Sequence, residues 1–131
     1  MRNKLKQMCE ILGLNFNTKD KTAVFPKRLA KVLSQKFDEA ADLWVEGNNS
    51  GNDEKAGPLY EKCHAVQAQC ENALAVLDIT VDYPGLYPTF KFGTSTRDYG
   101  SLLSILNEAL EHANNRNENE ALRGQADNHS C

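Results

Sequence analysis

The sequence contains no long apolar run and none of the short motifs that mark common enzymes. No stretch approaches the roughly 20 consecutive apolar residues that a membrane helix needs, and the N-terminal residues lead into no signal-type apolar core. Glycine-rich phosphate loops and the Gly-x-Ser-x-Gly nucleophile motif are also absent. We therefore expect a cytoplasmic protein that is not an enzyme, with no association with membranes.

Side chains that bind metals or act as nucleophiles are few and badly spaced. The four cysteines and three histidines form no Cys-x-x-Cys or His-x-x-x-His pair. Cys63 and Cys70 are separated by about 10.5 Å along one predicted helix, too far for a disulfide bond or an easily shared metal. His64 follows Cys63, but consecutive helical residues point about 100° apart, which is unsuitable for a nucleophile and its base. We expect no catalytic residue, no metal and no cofactor, and interpret Cys9, Cys63 and Cys70 as small core side chains.

The composition is typical of one globular domain. The chain has 131 residues, of which 40% are hydrophobic and 25% charged. This balance differs from that of disordered chains, and the length leaves no room for a second domain of ordinary size. We predict a single helical domain over residues 1–114 and a polar, asparagine-rich tail over 115–131 that is frayed or disordered.

Periodic apolar residues predict a mainly α fold, a small helical bundle. A first helix covers 3–13, and a second covers 26–46 with Pro26 as its first residue. A third helix begins at Pro58 and has the narrow apolar seam of a helix packed on another helix. The seam consists of Leu59, Cys63, Val66, Cys70, Ala73 and Leu77. With a loop of about eleven residues between them, helices two and three are predicted to form an antiparallel hairpin.

The segment between helices three and four loses the helical period. Apolar residues alternate with polar ones around Val81 and around Phe90, and prolines and a glycine lie between. This pattern predicts a short β-hairpin or an extended aromatic loop. Ser95-Thr96-Arg97-Asp98 matches a capping box, which predicts that the fourth helix begins there.

Charge is distributed unevenly along the chain. The first 36 residues contain nine basic and two acidic residues, a formal +7, whereas the remaining 95 contain six and sixteen, a formal −10. Lys27, Arg28 and Lys31 lie in the first turns of helix two, where the helix dipole disfavours cations. Two sources of compensation stay open. Asp78 and Asp82 at the end of helix three are internal candidates, and a phosphate backbone or an acidic protein surface is an external one.

Acidic residues crowd the second half of helix two. Asp38, Glu39, Asp42 and Glu46 lie on the side away from Leu33 and Phe37. Carboxylates that hold metal in a helical bundle point inward. We therefore interpret this set as a solvated acidic face.

Aromatic residues cluster near the predicted hairpin and are interleaved with cations. Tyr and Arg dominate interface hot spots, so this segment is suited to anchoring a partner or stacking a base. The preferred interpretation is structural: the segment covers the open end of the core. The candidate partner-binding residues are Lys27, Arg28, Lys31, Tyr83, Tyr87, Lys91 and Arg97.

Three functions follow as hypotheses. The first is a protein-binding module, an adaptor or inhibitor of the kind found as small accessory proteins of phages and mobile elements, whose partner is another protein or a second copy of the chain. The second is a nucleic-acid-binding regulator that uses the basic residues 1–36. The third is a protein that binds a small ligand or nucleotide between the aromatic segment and the helix ends.

Overall fold

Four helices and a small sheet form the structure, a computed structural model that describes residues 2–114. The helices are α1 (Arg2–Leu12), α2 (Phe25–Asn49), α3 (Asp53–Ala75) and α4, helical over 102–114. The strands are β1 (Thr80–Asp82), β2 (Thr89–Phe92) and β3 (Ser95–Arg97). The predicted mainly α bundle is confirmed. The predicted tail over 115–131 lies outside the described residues. None of the helices in the described range has the length and apolar character needed to cross a membrane.

α1 ends in a tight left-handed turn at the predicted glycine. Gly13 has φ +71°, a conformation that glycine adopts without strain. Its N–H donates to the Glu10 carbonyl at 3.2 Å, and the Leu14 N–H donates to the Cys9 carbonyl at 2.8 Å. These two bonds form a Schellman motif, which satisfies carbonyls that the end of the helix leaves open. The buried face of α1 consists of Leu5, Met8, Cys9 and Leu12.

The predicted hairpin of α2 and α3 is confirmed, but its connection is shorter than predicted. Only Ser50, Gly51 and Asn52 join the two helices, because α2 extends to Asn49 and α3 begins at Asp53 instead of Pro58. The Asn52 side chain caps α3 by accepting a hydrogen bond from the Glu54 N–H at 2.8 Å. Pro58 lies inside the helix, where it removes one backbone hydrogen bond without ending it.

The hairpin end of α2 and α3 is packed through a glycine. Gly47 is buried in α2, and a Cβ atom there would lie 2.6 Å from Cε1 of Tyr60. The Tyr60 ring also packs against Trp44, with 4.7 Å between ring centroids, and its hydroxyl donates to the Asn48 side chain. The Tyr60 ring occupies the space that a side chain at position 47 would need, and a glycine at this position of α2 avoids the clash. The sequence had placed Gly47 in the loop.

The segment after α3 forms a three-stranded antiparallel sheet in the order β1-β2-β3. The predicted hairpin corresponds to β1 and β2, in which Val81 pairs with Phe90. The third strand was not predicted, and the capping-box assignment at Ser95 is wrong because Ser95 pairs with Phe92 in β3. Asp98 instead precedes a turn of 3-10 helix, where its carboxylate accepts from the Ser101 hydroxyl at 2.9 Å.

One apolar core joins α1 to α4 and the sheet. Phe90 of β2 is fully buried, and its ring centroid lies 5.8 Å from that of Phe37 on α2. Gln69 on the flank of α3 donates from Nε2 to the Ile11 carbonyl at 2.8 Å, which holds α1 against that side of the hairpin. α1 and the sheet thus lie on α2 and α3 and leave part of the hairpin surface open.

Candidate binding groove between α2 and α3

The predicted basic cluster lies at the start of α2, and the charge of one of its residues, Arg28, is compensated by an ion pair within the chain. Lys27, Arg28 and Lys31 are exposed, and the first turn of α2 contains no acidic residue. The Arg28 guanidinium forms an ion pair with the Asp20 carboxylate at 2.8 Å and lies over the Phe25 ring, 5.4 Å from its centroid. The carboxylate that meets Arg28 thus comes from the segment before α2.

The segment that carries Asp20 is itself held by a second arginine. Arg2 donates to the backbone carbonyls of Thr18 and Asp20 at 2.9 and 3.0 Å. Asp20 was not among the sources of compensation that the sequence suggested, which were Asp78 and Asp82 within the chain or an external partner. Part of the +7 charge of the first 36 residues is thereby used to hold the connection between α1 and α2.

The two predicted cations of the sheet have different surroundings. Lys91 is exposed on the central strand, opposite Thr80 and Thr96. Arg97 of β3 donates to the Glu108 carboxylate of α4 at 2.6 Å. Arg97 therefore joins the sheet to α4, a structural use that the sequence did not indicate.

The aromatic segment docks on α2 through Tyr99. The Tyr99 hydroxyl lies 2.9 Å from both the Ser34 carbonyl and the Asp38 carboxylate. Burial and the hydrogen bond to Asp38 raise the pKa of this hydroxyl. The ring stacks on Tyr87, with 5.2 Å between centroids, and meets the edge of Phe37 at 6.0 Å. Phe90 covers the open end of the core, which is one of the two roles that the sequence suggested for the aromatic segment. Tyr87, by contrast, stays exposed.

A groove of about 570 Å³ lies between α2, α3 and the turn that follows β1. This volume falls within the range of ligand-binding clefts. Ala40 and Ala41 contribute short side chains to its wall. Its remaining walls include Trp44, His64, Gln67, Tyr83 and Leu86.

Large apolar side chains at the groove are exposed to solvent. Trp44 is 38%, Leu86 40% and Tyr87 45% exposed, although residues of these types usually lie mainly in the interior or in an interface. Trp44 continues the apolar stripe of α2, but the sheet and α4 do not cover it. Exposed apolar side chains grouped around a concave surface are typical of an interaction site.

Carboxylates and a buried hydroxyl set the electrostatics of the groove. The Tyr83 hydroxyl is buried without a hydrogen bond to any described residue. Burial and the nearby Glu71 carboxylate raise its pKa, so it stays neutral at physiological pH. Asp38, one turn before Ala41 on α2, contacts the hydroxyl of Tyr99, whose ring stacks on Tyr87. No lysine or arginine lines the groove within the described residues.

The seven residues predicted to bind a partner do not form one site. Tyr83 lines the groove, and Tyr87 lies beside it on Tyr99. Lys27 is seventeen positions before Trp44 on α2, about 25 Å along the helix axis, so the basic cluster lies far from the groove. Sequence reasoning missed Trp44, His64 and Leu86. The available signal was that Trp44 sits where the apolar stripe of α2 extends beyond its covering elements.

The cysteines of the described part of the chain lie in the core and belong to no metal-binding cluster. Cys9, Cys63 and Cys70 are buried and free, as predicted for core side chains, and burial raises the pKa of the Cys70 thiol to about 12. Within residues 2–114 no three histidine, cysteine or acidic side chains are grouped to hold a metal ion. Comparison with known proteins finds no matching protein family, no matching curated protein and no matching solved structure.

Proposed function

We propose that the protein is a non-enzymatic binding module that holds a short segment of a partner protein in the groove between α2 and α3. The observation that carries this proposal is the exposure of Trp44 and Leu86 around one concave surface, with the exposed Tyr87 next to Leu86 in the chain. Burying a leucine-sized side chain is worth about 1.5–3 kcal/mol, so these side chains offer a partner substantial binding energy.

The groove is also suited to a segment of chain because its walls are regular elements. Trp44 comes from α2 and His64 from α3, and the two helices are held together by a continuous core. A preformed site loses little conformational entropy when it is occupied. Aromatic side chains near the centre of such a site are the usual hot spots of protein interfaces.

Selection of short peptides from a displayed random library against the full chain tests the proposal. We expect selected peptides to bind the wild-type chain and to lose binding to Leu86→Glu, because a carboxylate would be buried beneath the bound segment. Lys31→Glu is the matched control, since Lys31 is also exposed but lies at the start of α2. Peptides that lose binding to Lys31→Glu and not to Leu86→Glu contradict the groove assignment. A selection that enriches no peptide contradicts the function.

Nucleic-acid binding through residues 1–36 is the second candidate function. Its supporting observation is that Lys27 and Lys31 project from the start of α2 without an ion pair to any described residue. Binding of this kind weakens steeply with salt because counterions are released from the phosphates. Titrating fluorescent duplex DNA and single-stranded RNA at two salt concentrations tests it. Affinity that does not change with salt, or that survives Lys27→Glu with Lys31→Glu, excludes this function.

A further inference from the structure

We infer that the segment held in the groove presents a positively charged side chain, arginine above all, to Trp44. This inference rests on the proposed function and specifies its partner as a basic protein segment. Two independent features of the groove support it: the sign of the charges around it and the chemistry of the surfaces that line it.

The first feature is that the charges next to the groove are negative. Glu71 lies on α3 one turn after Gln67 of the groove wall and close enough to Tyr83 to raise its pKa. Asp38 lies on α2 one turn before Ala41 and contacts the Tyr99 hydroxyl. α2 carries four acidic residues and no basic residue between Lys36 and its end at Asn49. Lys36, one turn before Ala40, is the nearest cation of α2, and beside the buried Cys70 thiol it is opposed by two carboxylates, Glu39 and Glu71.

The second feature is that aromatic faces and neutral polar groups line the groove. Trp44 and Tyr83 provide electron-rich ring faces, of which indole is the best partner for a cation. Gln67 contributes an amide oxygen that accepts hydrogen bonds. A guanidinium matches this set because it is planar, stacks on aromatic rings and donates hydrogen bonds without accepting them. Leu86 suits the apolar stem of the same side chain.

These features oppose anionic occupants. A nucleotide or a nucleic-acid phosphate would face the Glu71 carboxylate without an arginine or lysine in the described lining to neutralise it. Phosphate sites in proteins are built from cationic side chains and helix N-termini. The nucleotide hypothesis raised by the sequence therefore finds no support at this groove, although the groove lies next to the aromatic segment as that hypothesis expected.

Trp44 is the single tryptophan of the chain, so its fluorescence reports on this site directly. The experiment titrates the full chain with a capped peptide that carries one arginine between two leucines. The control peptide replaces arginine with citrulline, which keeps the shape and removes the charge. We expect the arginine peptide to change Trp44 emission and to bind about five-fold more tightly than the citrulline peptide.

Two protein variants separate the role of charge from general effects. Glu71→Gln keeps the size of the side chain and is expected to weaken the arginine peptide about two- to five-fold, with little effect on the citrulline peptide. Glu10→Gln is the matched control, because Glu10 is an exposed carboxylate on α1, away from the groove. We expect Glu10→Gln to bind both peptides like the wild type. A thermal unfolding curve for each variant verifies that it is folded.

The outcomes distinguish this inference from the proposed function. Equal binding of the two peptides overturns the inference but supports a groove that binds peptides. Tighter binding of a third peptide, with glutamate in place of arginine, overturns the assignment of charge. If no peptide changes Trp44 emission and the library selection also fails, the inference and the proposed function fall together. If the selection succeeds with neutral sequences, only the inference falls.

Discussion

Replacing Gly47 with alanine provides the sharpest test of how the hairpin end of α2 and α3 is packed. In most helices this exchange stabilises the protein by about 1 kcal/mol, because glycine is the poorer helix former. Here the added Cβ would lie 2.6 Å from Cε1 and 3.0 Å from Cδ1 of Tyr60. Movement of the ring would disturb its packing on Trp44 and the hydrogen bond from its hydroxyl to Asn48.

The expected magnitude follows from these two opposing effects. Overpacking a well-filled site costs about 1–3 kcal/mol. After the helix-propensity gain of about 1 kcal/mol is subtracted, Gly47→Ala should lower the free energy of unfolding by about 0–2 kcal/mol. In a Tyr60→Ala background the obstructing ring is gone, and the same exchange should raise the free energy of unfolding by about 1 kcal/mol. The coupling between the two positions is therefore about 1–3 kcal/mol.

Urea unfolding of the wild type, both single variants and the double variant measures this coupling. Far-UV circular dichroism follows the helices, and Trp44 emission provides a second readout, because a displaced Tyr60 ring changes the surroundings of the indole. An equal gain from Gly47→Ala in both backgrounds would refute the argument that Tyr60 requires the glycine. An unchanged emission spectrum for the single variant Gly47→Ala would refute it independently.

Three further predictions concern the rest of the fold. Gly13→Ala should destabilise the protein by about 1–2 kcal/mol in urea unfolding, because φ is +71°; no destabilisation would contradict the strain argument. Phe90→Ala should cost about 3–5 kcal/mol by the same measurement, and a loss below 1 kcal/mol would show that β2 does not anchor the sheet on Phe37. The folded Cys70 thiol keeps its proton to about pH 12, whereas an unfolded thiol releases it near 9.0, so the free energy of unfolding should fall as pH rises above 9.0. Thermal unfolding of Cys70→Ala should show a smaller fall, and an identical fall would contradict the assignment.

The helices could be predicted from sequence because they bury periodic apolar faces. The positions at which they begin and end could not, because these depend on side-chain caps and on contacts with the facing helix. Gly47 and Pro58 are residues that usually interrupt helices, and they suggested a long loop between α2 and α3. The structure places Gly47 in α2 to make room for Tyr60, and it starts α3 at the side-chain cap of Asn52. The requirement at Gly47 comes from the facing helix, which no local pattern in α2 reveals.

The sheet and the site were predictable to a smaller extent. Alternation indicated β1 and β2, but the short β3 contains no apolar pattern, and its Arg97 forms an ion pair with α4 that only the tertiary structure defines. Tyr83 and Tyr87 were predicted to meet a partner because aromatic residues clustered around them. Trp44 and Leu86 were missed because the groove exists only where two helices and a turn converge. Local charge singled out the basic cluster at the start of α2 but did not show that it lies far from the groove.

The three-residue connection between α2 and α3 has a consequence for the order of folding. Tyr60 and Asn48, which meet at the hairpin end, are 12 positions apart, whereas Tyr99 and Ser34 are 65 apart. By the logarithmic dependence of loop-closure entropy on length, closing the longer loop costs about 1.5 kcal/mol more. We therefore expect the transition state for folding to contain the two-helix hairpin, with the sheet and its aromatic turn docking later. The two helical walls of the groove form early, and the side that carries Tyr83 and Leu86 is added last.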